Sequence, residues 1–237
     1  MKGILIINKE KGKTSHDVVN DLRRILQMKR IGHTGTLDPL AIGVLPMCIG
    51  RGTRVAEYIQ NDYKEYVATA ELGYQTDTLD ITGDVLAESD KKRFHRKELE
   101  ETIQHFIGEI EQYPPMYSAI RVKGKRLYEY AREGKTVERK PRKVTIHAIE
   151  ILDLTDTRFK IKVLCSTGTY IRTLVDDIGK ALGSYATMTD LVRTRVGEFQ
   201  LQDAHNISDL REMTIDEIEK LILPLDLAVA HFPKYVM

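Results

Sequence analysis

Two segments of the chain place apolar residues at every second position, and this periodicity constrains the fold more than any other feature. The apolar faces are formed by Tyr66, Ala68, Ala70 and Leu72 in the first segment and by Phe159, Ile161, Val163 and Cys165 in the second. A period of two is typical of a half-buried β-strand. We therefore predict strands at 66–72 and 158–165, with further strands at residues 4–7 and 143–152.

Helical spacing of apolar residues occupies the segments between these strands. The sequence predicts five helices: one from a Thr14 or Ser15 cap to about Met28, one at 97–107 before Gly108, one at 125–133 before Gly134, one from Gly168 to about Gly183, and one at 214–222 with a Thr214–Glu217 capping box. The strands follow one another as in hairpins, without regular βαβ alternation. This order favours an α+β fold with a large, mainly antiparallel mixed sheet flanked by helices and loops.

Composition excludes several protein classes. The chain has 237 residues, of which 42% are hydrophobic and 30% charged, as in ordinary globular proteins. Its first apolar run is only four residues long, too short for a signal peptide or membrane span, so a cytoplasmic protein without membrane contact is expected. Cys48 and Cys165 lie in apolar stretches without a nearby cysteine, which predicts two reduced core residues.

The segment GHTGTLDPLAIGVLP, residues 32–46, has Gly or Pro at five positions and is predicted to be a shaped loop. It carries a single carboxylate, Asp38, between the polar residues His33, Thr34 and Thr36 and an apolar run. By itself, an aspartate before a proline is most often a turn former. No second acid, cysteine or metal-type cluster surrounds it, so no metal site is predicted there.

Residues 121–143 are strongly basic, with ten lysines and arginines against three glutamates. The candidate RNA-contacting residues in this segment are Arg121, Lys123, Lys125, Arg126, Arg132, Lys140 and Arg142. Two tyrosines, Tyr128 and Tyr130, lie among them. Such a pattern suits contact with phosphates and bases, but it is equally compatible with a solvated helix followed by a loop.

The Asp38 loop resembles the signature of the bacterial tRNA pseudouridine-55 synthases, the TruB-type family, in which the aspartate of G-H-x-G-x-L-D-P is catalytic. Four more segments are similar to that family and occur in the same order: KEKGKTSHDVV, YQTDTLDITGDV, YPPMYSAIRVKGKRLYEYAREG and STGTYIRTLVDDIGKALG. Together the five motifs span most of residues 3–197. Their number and order make the resemblance specific.

The resemblance implies the isomerisation of one uridine in the T loop of tRNA to its C-glycoside, without cofactor, metal or energy source. Asp38 would be the nucleophile, attacking either carbon 6 of the uracil or the anomeric carbon. Arg172 matches the arginine that pairs with this carboxylate. Tyr66 matches a tyrosine that stacks on the target ring and takes up the proton of carbon 5.

Three further residues complete the implied pocket. Tyr170 matches a pocket aromatic residue, and Leu191 matches an apolar wall of the uracil site. His33 matches a histidine that enters the T loop and fills the space of the flipped nucleotide, which reduces the cost of base flipping. Outside the motif, a lone histidine or leucine at such positions would be interpreted as structural.

The resemblance also assigns the basic segment to an insertion, at about residues 118–143, that closes over the RNA stem-loop. Lysines and arginines there would neutralise phosphates without reading sequence. We expect this insertion to be mobile in the free protein and ordered on RNA. The expected partner is the T stem-loop of tRNA, with the protein acting as a monomer and without a protein partner.

Two departures from the family pattern concern the ends of the chain. The first motif has Lys9-Glu10 where the family commonly has Lys-Pro, so the rigid turn of a proline is missing. The family usually continues into a small C-terminal RNA-binding domain of the PUA type. We expect residues 1–225 to form the catalytic domain and residues 226–237 to begin a linker, with the PUA domain not present.

Two other functions are compatible with parts of the pattern. An RNA-binding module or RNA chaperone could use the same basic surface without chemistry. A nucleoside hydrolase could use Asp38, although a hydrolytic glycosidase normally shows two carboxylates, and an Asp-rich calcium-type cluster is also missing. Release of tritium from carbon 5 of uridine separates the first from a synthase, and free uracil would indicate the second.

Overall fold

The structure, a computed structural model, describes residues 1–54, 56–60 and 63–228. Two compact units divide the chain: residues 1–65 and 192–228 belong to unit 1, and residues 66–191 form unit 2. The predicted linker at residues 226–237 lies outside the described residues from position 229 onwards. No helix in the described ranges is long and apolar enough to cross a membrane.

The described N-terminal part of unit 1 contains five strands and α-helices: β1 (Gly3–Lys9), α1 (Ser15–Ile25), β2 (Ile31–His33), β3 (Ile42–Ile49) and α2 (Ala56–Gln60). Strands β1 and β3 pair antiparallel, from Gly3 opposite Ile49 to Lys9 opposite Gly43. Both strands are almost completely buried. The predicted strand at 4–7 is confirmed, because its four apolar residues form the centre of β1.

Helix α1 begins at the predicted cap. The Thr14 hydroxyl accepts from the Asp17 backbone N–H, and the Asp17 carboxylate accepts from the Thr14 backbone N–H, which completes a capping box. The helix ends at Ile25, three residues before the predicted end at Met28. The reason is local, since Gln27 adopts a left-handed conformation with φ of 50° that stops the helix.

The prediction of one shaped loop over residues 32–46 is wrong beyond residue 41, because β3 starts at Ile42 and contains both Gly43 and Pro46. Gly43 takes a φ of 105°, a conformation open to glycine. Pro46 lies one residue beyond the β2–β3 pairing, whose last pair is His33 opposite Met47, so the sheet requires no N–H from it there. Its carbonyl accepts from the Thr34 N–H.

The chain enters unit 2 within β4 (Lys64–Leu72). Ten elements follow in chain order: β5 (Tyr74–Thr76), β6 (Val85–Glu88), α3 (Arg96–Gln104), β7 (Gly108–Gln112), β8 (Arg121–Val122), β9 (Lys125–Arg126), α4 (Leu127–Arg132), β10 (Arg142–Leu154), β11 (Arg158–Cys165) and α5 (Ile171–Ala181). The chain returns to unit 1 within β12 (Ala186–Val196). The remaining elements are β13 (Phe199–Gln200), α6 (Ile207–Glu212), α7 (Ile215–Leu221) and α8 (Leu225–Ala228).

The sheet of unit 2 has the strand order β12, β4, β11, β10, β7. Strand β10 is antiparallel to both β11 and β7. The two predicted period-two segments are confirmed, since every second residue of β4 and of β11 is buried on the predicted face. Helix α5 is also confirmed, with its apolar residues buried and with Gly183, at a φ of 74°, after its end.

The Thr- and Asp-rich sequence of residues 74–85 indicates loop and turn, but the segment starts with β5 and ends in β6, and these two strands form an antiparallel hairpin. The side chains of Thr78, Asp80 and Thr82 hydrogen-bond one another in the connection between the two strands. Threonine, aspartate and glycine in this connection indicate a turn, so the sequence did not predict the two short strands. Strand β6 is also too exposed to show alternating apolar residues.

In unit 1 the strand order is β1, β3, β12, with β2 added to β3 and β13 to β12. The pair β3–β12 is parallel, with Val192 opposite Ile42 and Arg193 opposite Gly43, whereas β1 and β2 run antiparallel to β3. Helices α6 and α7 follow, and α7 starts at the predicted Thr214–Glu217 capping box. The predicted α+β fold with a mainly antiparallel mixed sheet is confirmed.

Both cysteines are buried and neither is in a disulfide bond within the described residues, as predicted. Burial raises the pKa of the Cys48 thiol to about 12, so the thiol stays protonated at neutral pH. Cys48 on β3 and Cys165 on β11 therefore act as small apolar core residues.

The close approach of β12 to β3 predicts that Gly43→Ala is much more destabilising than Gly12→Ala. A Cβ at Gly43 would lie 2.3 Å from the Arg193 carbonyl oxygen, whereas a Cβ at Gly12, at a similar positive φ, meets no atom within 4 Å. We expect Gly12→Ala to cost about 1–2 kcal/mol of unfolding free energy from backbone strain alone. Gly43→Ala adds a steric term of about 1–3 kcal/mol or more. Urea unfolding of both variants measures the difference, and equal losses would contradict the packing at Gly43.

Candidate active site

Asp38 lies in unit 1, on the connection between β2 and β3. The side chains of Leu37, Leu40 and Ala41 are buried, while Asp38 is half-buried. The apolar residues around Asp38 therefore anchor the loop and leave its carboxylate partly accessible. A turn closes behind it, because the Ala41 N–H donates to the Asp38 carbonyl at 3.1 Å.

The first residue of α1 holds the loop immediately before Asp38. The buried Ser15 hydroxyl accepts from the Leu37 N–H at 2.8 Å and lies 3.2 Å from the Leu37 carbonyl, to which it can donate. On the other side of Asp38, the Gly12 N–H donates to the Pro39 carbonyl at 2.8 Å. Both neighbours of Asp38 are thus fixed by the segment that leads into α1.

Arg193 of β12 holds the start of the same loop. Its guanidinium donates to the carbonyls of Val44 at 2.7 Å, Gly35 at 3.2 Å and Thr36 at 3.5 Å. The side chain is 1% exposed. Because loop carbonyls have no partner in a helix or sheet ladder, a buried donor satisfies them and fixes their direction.

Lys9, the last residue of β1, is also completely buried. Its ammonium donates to the carbonyls of Lys13 at 2.7 Å and Glu10 at 2.9 Å, and lies 3.5 Å from that of Pro39. Burial lowers the pKa of Lys9 to about 8, against the opposing influence of the Asp38 charge, and the Arg193 charge lowers it further. Lys9 is therefore charged at pH 7 and close enough to Asp38 for the two charges to interact.

His33 ends β2, four residues before Leu37 on the same connection. Burial is the main cause that lowers its pKa, and the charges of Arg193 and His16 lower it further, so the imidazole is neutral at pH 7. Its Nδ1 atom is buried and has no hydrogen-bond partner within the described part of the chain.

Arg172 lies in unit 2, at the start of α5, and is 4% exposed. Its guanidinium donates to the Thr78 carbonyl at 2.6 Å and to the Tyr117 carbonyl at 2.9 Å, and it forms an ion pair with Asp80 at 3.7 Å. Asp80 is almost as buried and accepts from the hydroxyls of Thr78 and Thr82. The connection between β5 and β6 therefore fixes the orientation of Arg172.

Three more of the predicted site residues belong to unit 2. Tyr170 directly precedes α5, and the Gln112 side chain bonds its backbone twice, accepting from the Tyr170 N–H at 3.0 Å and donating to its carbonyl at 3.3 Å. Tyr66 on β4 and Leu191 on β12 are both buried, and these two strands are neighbours in the sheet.

The predicted basic insertion contains two short strands and a short helix of unit 2. Strands β8 and β9 form a hairpin through Lys123 and Gly124, both with positive φ, and the short helix α4 follows directly. The helix starts at Leu127, two residues after its predicted start. Six of the seven predicted RNA-contacting residues are exposed, and Lys125 is half-buried.

Two tyrosines organise the cations of this insertion. Arg126 and Arg132 lie over the Tyr128 ring, at 5.8 and 5.3 Å from its centroid, and Lys125 lies over the Tyr130 ring at 5.0 Å. Lys125 also forms an ion pair with Glu133. The cationic side chains therefore have preferred positions in the free protein.

The structure groups the predicted residues by unit. Asp38 and His33 share the β2–β3 connection, and Arg172 and Tyr170 share the start of α5. The predicted pairing of Asp38 with Arg172 joins residues of different units and stays a prediction.

Sequence reasoning did not assign a role to Arg193, Asp80 or Gln112. Asp80 lies inside one of the five motifs and Arg193 follows Leu191 by two positions, but no pattern in the sequence pointed to Gln112. Among the described residues, no three His, Cys, Asp or Glu side chains are grouped so that they could hold a metal ion.

Comparison with known proteins defines the class. Residues 23–171 match the TruB family pseudouridylate synthase (N terminal domain), and residues 172–230 match the tRNA pseudouridylate synthase B C-terminal domain. A tRNA pseudouridine synthase B of Bacillus cytotoxicus is 46% identical over 245 residues, covering 100% of this chain and 80% of the relative. The tRNA pseudouridine synthase B of Geobacillus thermodenitrificans is 45% identical over 243 residues, covering 99% of this chain and 80% of the relative.

Solved structures show the same similarity at the level of the fold. The chain is similar to one in the crystal structure of a Cbf5-Nop10-Gar1 complex, with a TM-score of 0.76 and 31% identity over 98% of this chain and 62% of that chain. A chain in the structure of an H/ACA RNP bound to a substrate RNA containing 2′-deoxyuridine is similar with a TM-score of 0.68 and 29% identity. The match covers 93% of this chain and 56% of that chain. This chain thus spans less than two thirds of these two solved chains.

These matches define a pseudouridine synthase, an isomerase, as the resemblance of the five motifs predicted. The chain belongs to the TruB family of pseudouridylate synthases.

The depressed pKa of Lys9 predicts a specific pH dependence of stability. The folded protein releases the Lys9 proton near pH 8, whereas the unfolded chain holds it until about pH 10.5. Between these values the unfolded state binds more protons, so the contribution of Lys9 to the unfolding free energy rises with pH. Urea unfolding of the wild type and Lys9→Met from pH 7.5 to 10 tests this. The wild type should gain stability relative to the variant, and parallel pH curves would contradict the burial of a charged Lys9.

Proposed function

We propose that this chain converts the uridine at position 55, in the T loop of tRNA, into pseudouridine, with Asp38 as the nucleophile and no cofactor. The tRNA substrate is supported by relatives named tRNA pseudouridine synthase B at 43–46% identity. The choice of residue and of position within the tRNA rests on the motif resemblance.

The reaction exchanges one bond to the sugar for another. The bond from the anomeric carbon to uracil nitrogen 1 breaks and a bond from the anomeric carbon to uracil carbon 5 forms. The hydrogen of carbon 5 leaves as a proton and nitrogen 1 gains one, so product and substrate are isomers. Asp38 enables this exchange by attacking either uracil carbon 6 or the anomeric carbon. The detached base must stay in the site while it rotates, so water must be kept away from the intermediate.

The observation that carries the proposal is the way in which unit 1 holds Asp38. Donors from α1, β12 and the segment before α1 bind the carbonyls of Gly35, Thr36, Leu37 and Pro39. A surface turn would not need donors on both sides of its aspartate, with the two on its N-terminal side, Ser15 and Arg193, buried. A nucleophile does need them, because displacement of a reacting atom by about 1 Å can cost 100-fold in rate.

The remaining pocket residues take the roles that the family resemblance implies. Arg172 pairs with the Asp38 carboxylate, and Tyr66 stacks on the target uracil and takes up the carbon 5 proton. Tyr170 and Leu191 form walls of the pocket. The neutral His33 enters the T loop and occupies the space that the flipped nucleotide leaves in the stack.

The basic insertion is the proposed clamp on the T stem-loop. Its exposed cations at Arg121, Lys123, Arg126, Arg132, Lys140 and Arg142, together with Lys125, neutralise phosphates without reading sequence. The insertion is mobile in the free protein and becomes ordered when it closes over the RNA stem-loop. We also propose that residues 1–225 form the catalytic domain, and that the protein works in the cytoplasm as a monomer.

The nucleophile assignment predicts that Asp38→Asn abolishes pseudouridine formation. The amide keeps the shape of the side chain, but it replaces one acceptor oxygen with a donating NH2 group and cannot attack carbon. We expect no tritium release from tRNA labelled at carbon 5 of uridine, with tRNA affinity by filter binding within a few-fold of wild type. Asp90→Asn, which changes an exposed aspartate, is the matched control and should retain full turnover.

Other outcomes would point to other functions. Turnover by Asp38→Asn would end the nucleophile proposal. If the wild type releases no tritium but binds tRNA, the chain acts as a binding module or chaperone. Free uracil or an abasic tRNA among the products would indicate a nucleoside hydrolase.

The buried ion pair between Arg172 and Asp80 predicts a second kinetic effect. In Asp80→Asn the guanidinium loses its carboxylate partner and its position is less restricted, so Arg172 supports the reaction less well. We expect kcat to fall by about 10–100-fold, the equivalent of a lost charged hydrogen bond of roughly 1.5–3 kcal/mol. Multiple-turnover tritium release measures it, again with Asp90→Asn as the control. A wild-type kcat would show that Asp80 does not orient Arg172.

A further inference from the structure

Two buried cations lie beside the Asp38 loop in unit 1. Lys9 is 0% exposed and Arg193 is 1% exposed. Within the described residues, neither forms an ion pair, and both donate to main-chain carbonyls. Burial of an unpaired charge is strongly unfavourable, and an apolar side chain of similar size is usually tolerated better. Selection for stability alone therefore does not account for them.

The bonds made by Arg193 show what it can do. Its Nε–H binds the Val44 carbonyl at 2.7 Å in strand β3, which follows the loop. Its two Nη groups bind the carbonyls of Gly35 and Thr36, just before Asp38 in the loop. One planar group thus connects the beginning of the loop to the strand after it. Only a guanidinium offers donors in this fixed arrangement.

Backbone pairing fixes Arg193 itself. It lies opposite Gly43 in the parallel pair β12–β3, and the Gly43 position leaves no room for a side chain against the Arg193 backbone. The guanidinium is therefore held by a rigid sheet at one end and by three carbonyls at the other. Such a side chain restricts the position of the loop.

Charge adds to this geometry. Lys9 interacts electrostatically with both Asp38 and Arg193, so the three groups share one environment. The Asp38 nucleophile must act as an anion in a site from which a bound nucleotide excludes water. Fixed positive charge beside the loop favours that anion without any rearrangement during the reaction.

We propose that Arg193 is a positioning residue for the pseudouridine synthase reaction, which sets the location of the Asp38 carboxylate by clamping the carbonyls of Gly35, Thr36 and Val44. The inference rests on the proposed role of Asp38 as the nucleophile. Arg193 acts through the loop and does not touch the uridine. Lys9 donates to the carbonyls of Glu10 and Lys13 and lies 3.5 Å from that of Pro39, on the other side of Asp38.

The test separates chemistry from binding and folding. Arg193→Met, Arg193→Gln and Arg193→Lys are compared with the wild type in single-turnover tritium release at saturating enzyme, in tRNA affinity and in thermal unfolding. Arg195→Met is the matched control, because Arg195 lies on the same strand but bonds Gly197, Tyr63 and Glu198 near the surface. It should keep the wild-type rate constant.

We expect Arg193→Met to lower the single-turnover rate constant by about 100-fold, with tRNA affinity changed by less than about threefold. Arg193→Lys and Arg193→Gln should recover part of this loss, because each keeps some of the donors but not the fork. A purely structural arginine would instead lower the unfolding temperature and leave the rate constant of the folded fraction unchanged.

A folded Arg193→Met or Arg193→Lys variant with the wild-type rate constant would overturn the inference. If Arg193→Met does not fold, Arg193→Lys decides, and a rate loss of about tenfold or more at unchanged affinity supports the proposal. Failure of the nucleophile proposal is recognised separately, since Asp38→Asn would then retain turnover whatever the Arg193 variants do.

Discussion

The hydrogen bonding of loop carbonyls by four donors from other segments, three of them buried, is the constraint on which the candidate site depends. Residues 34–41 lie between two strands and have no ladder of their own, so their polar groups need partners from elsewhere. Ser15, Gly12, Arg193 and Lys9 supply them. The cost is visible at Lys9, whose pKa is lowered to about 8 by burial. Burial of the charged Lys9 ammonium is unfavourable, which indicates that the placement of Asp38 outweighs this loss of stability.

In unit 2, Arg172 and Tyr170 are also fixed by hydrogen bonds and by an ion pair with residues from other segments. Arg172 is held by two carbonyls and by the carboxylate of Asp80, all supplied by segments far from it in sequence. Gln112 fixes both polar backbone groups of Tyr170 just before α5 begins. The start of α5 therefore presents an arginine and an aromatic ring whose backbone and charge are already fixed, as a preorganised site requires.

The sequence predicted an element correctly when its signal lay within a few neighbouring residues, and missed it when distant strands determined the structure. Strand β11, helix α5 and the capping boxes at Thr14 and Thr214 were predictable because their signals lie within a few residues. Strand β3 was not, because Gly43 and Pro46 indicate a loop and only the pairing with β1 overrides them. Strand β12 and the hairpin β5–β6 were missed for the same reason: neighbouring strands, not local preference, make them strands.

The sequence by itself determined the chemistry that the protein carries: a lone carboxylate in a Gly- and Pro-rich loop, five motifs in a family order and a basic segment with two tyrosines. The tertiary structure decided which groups hold them. Arg193 lies more than 150 residues from the loop that it binds, and Asp80 more than 90 from Arg172. Contacts between such distant residues are created only when strands pair, because their energy comes from burial and geometry that no local pattern encodes.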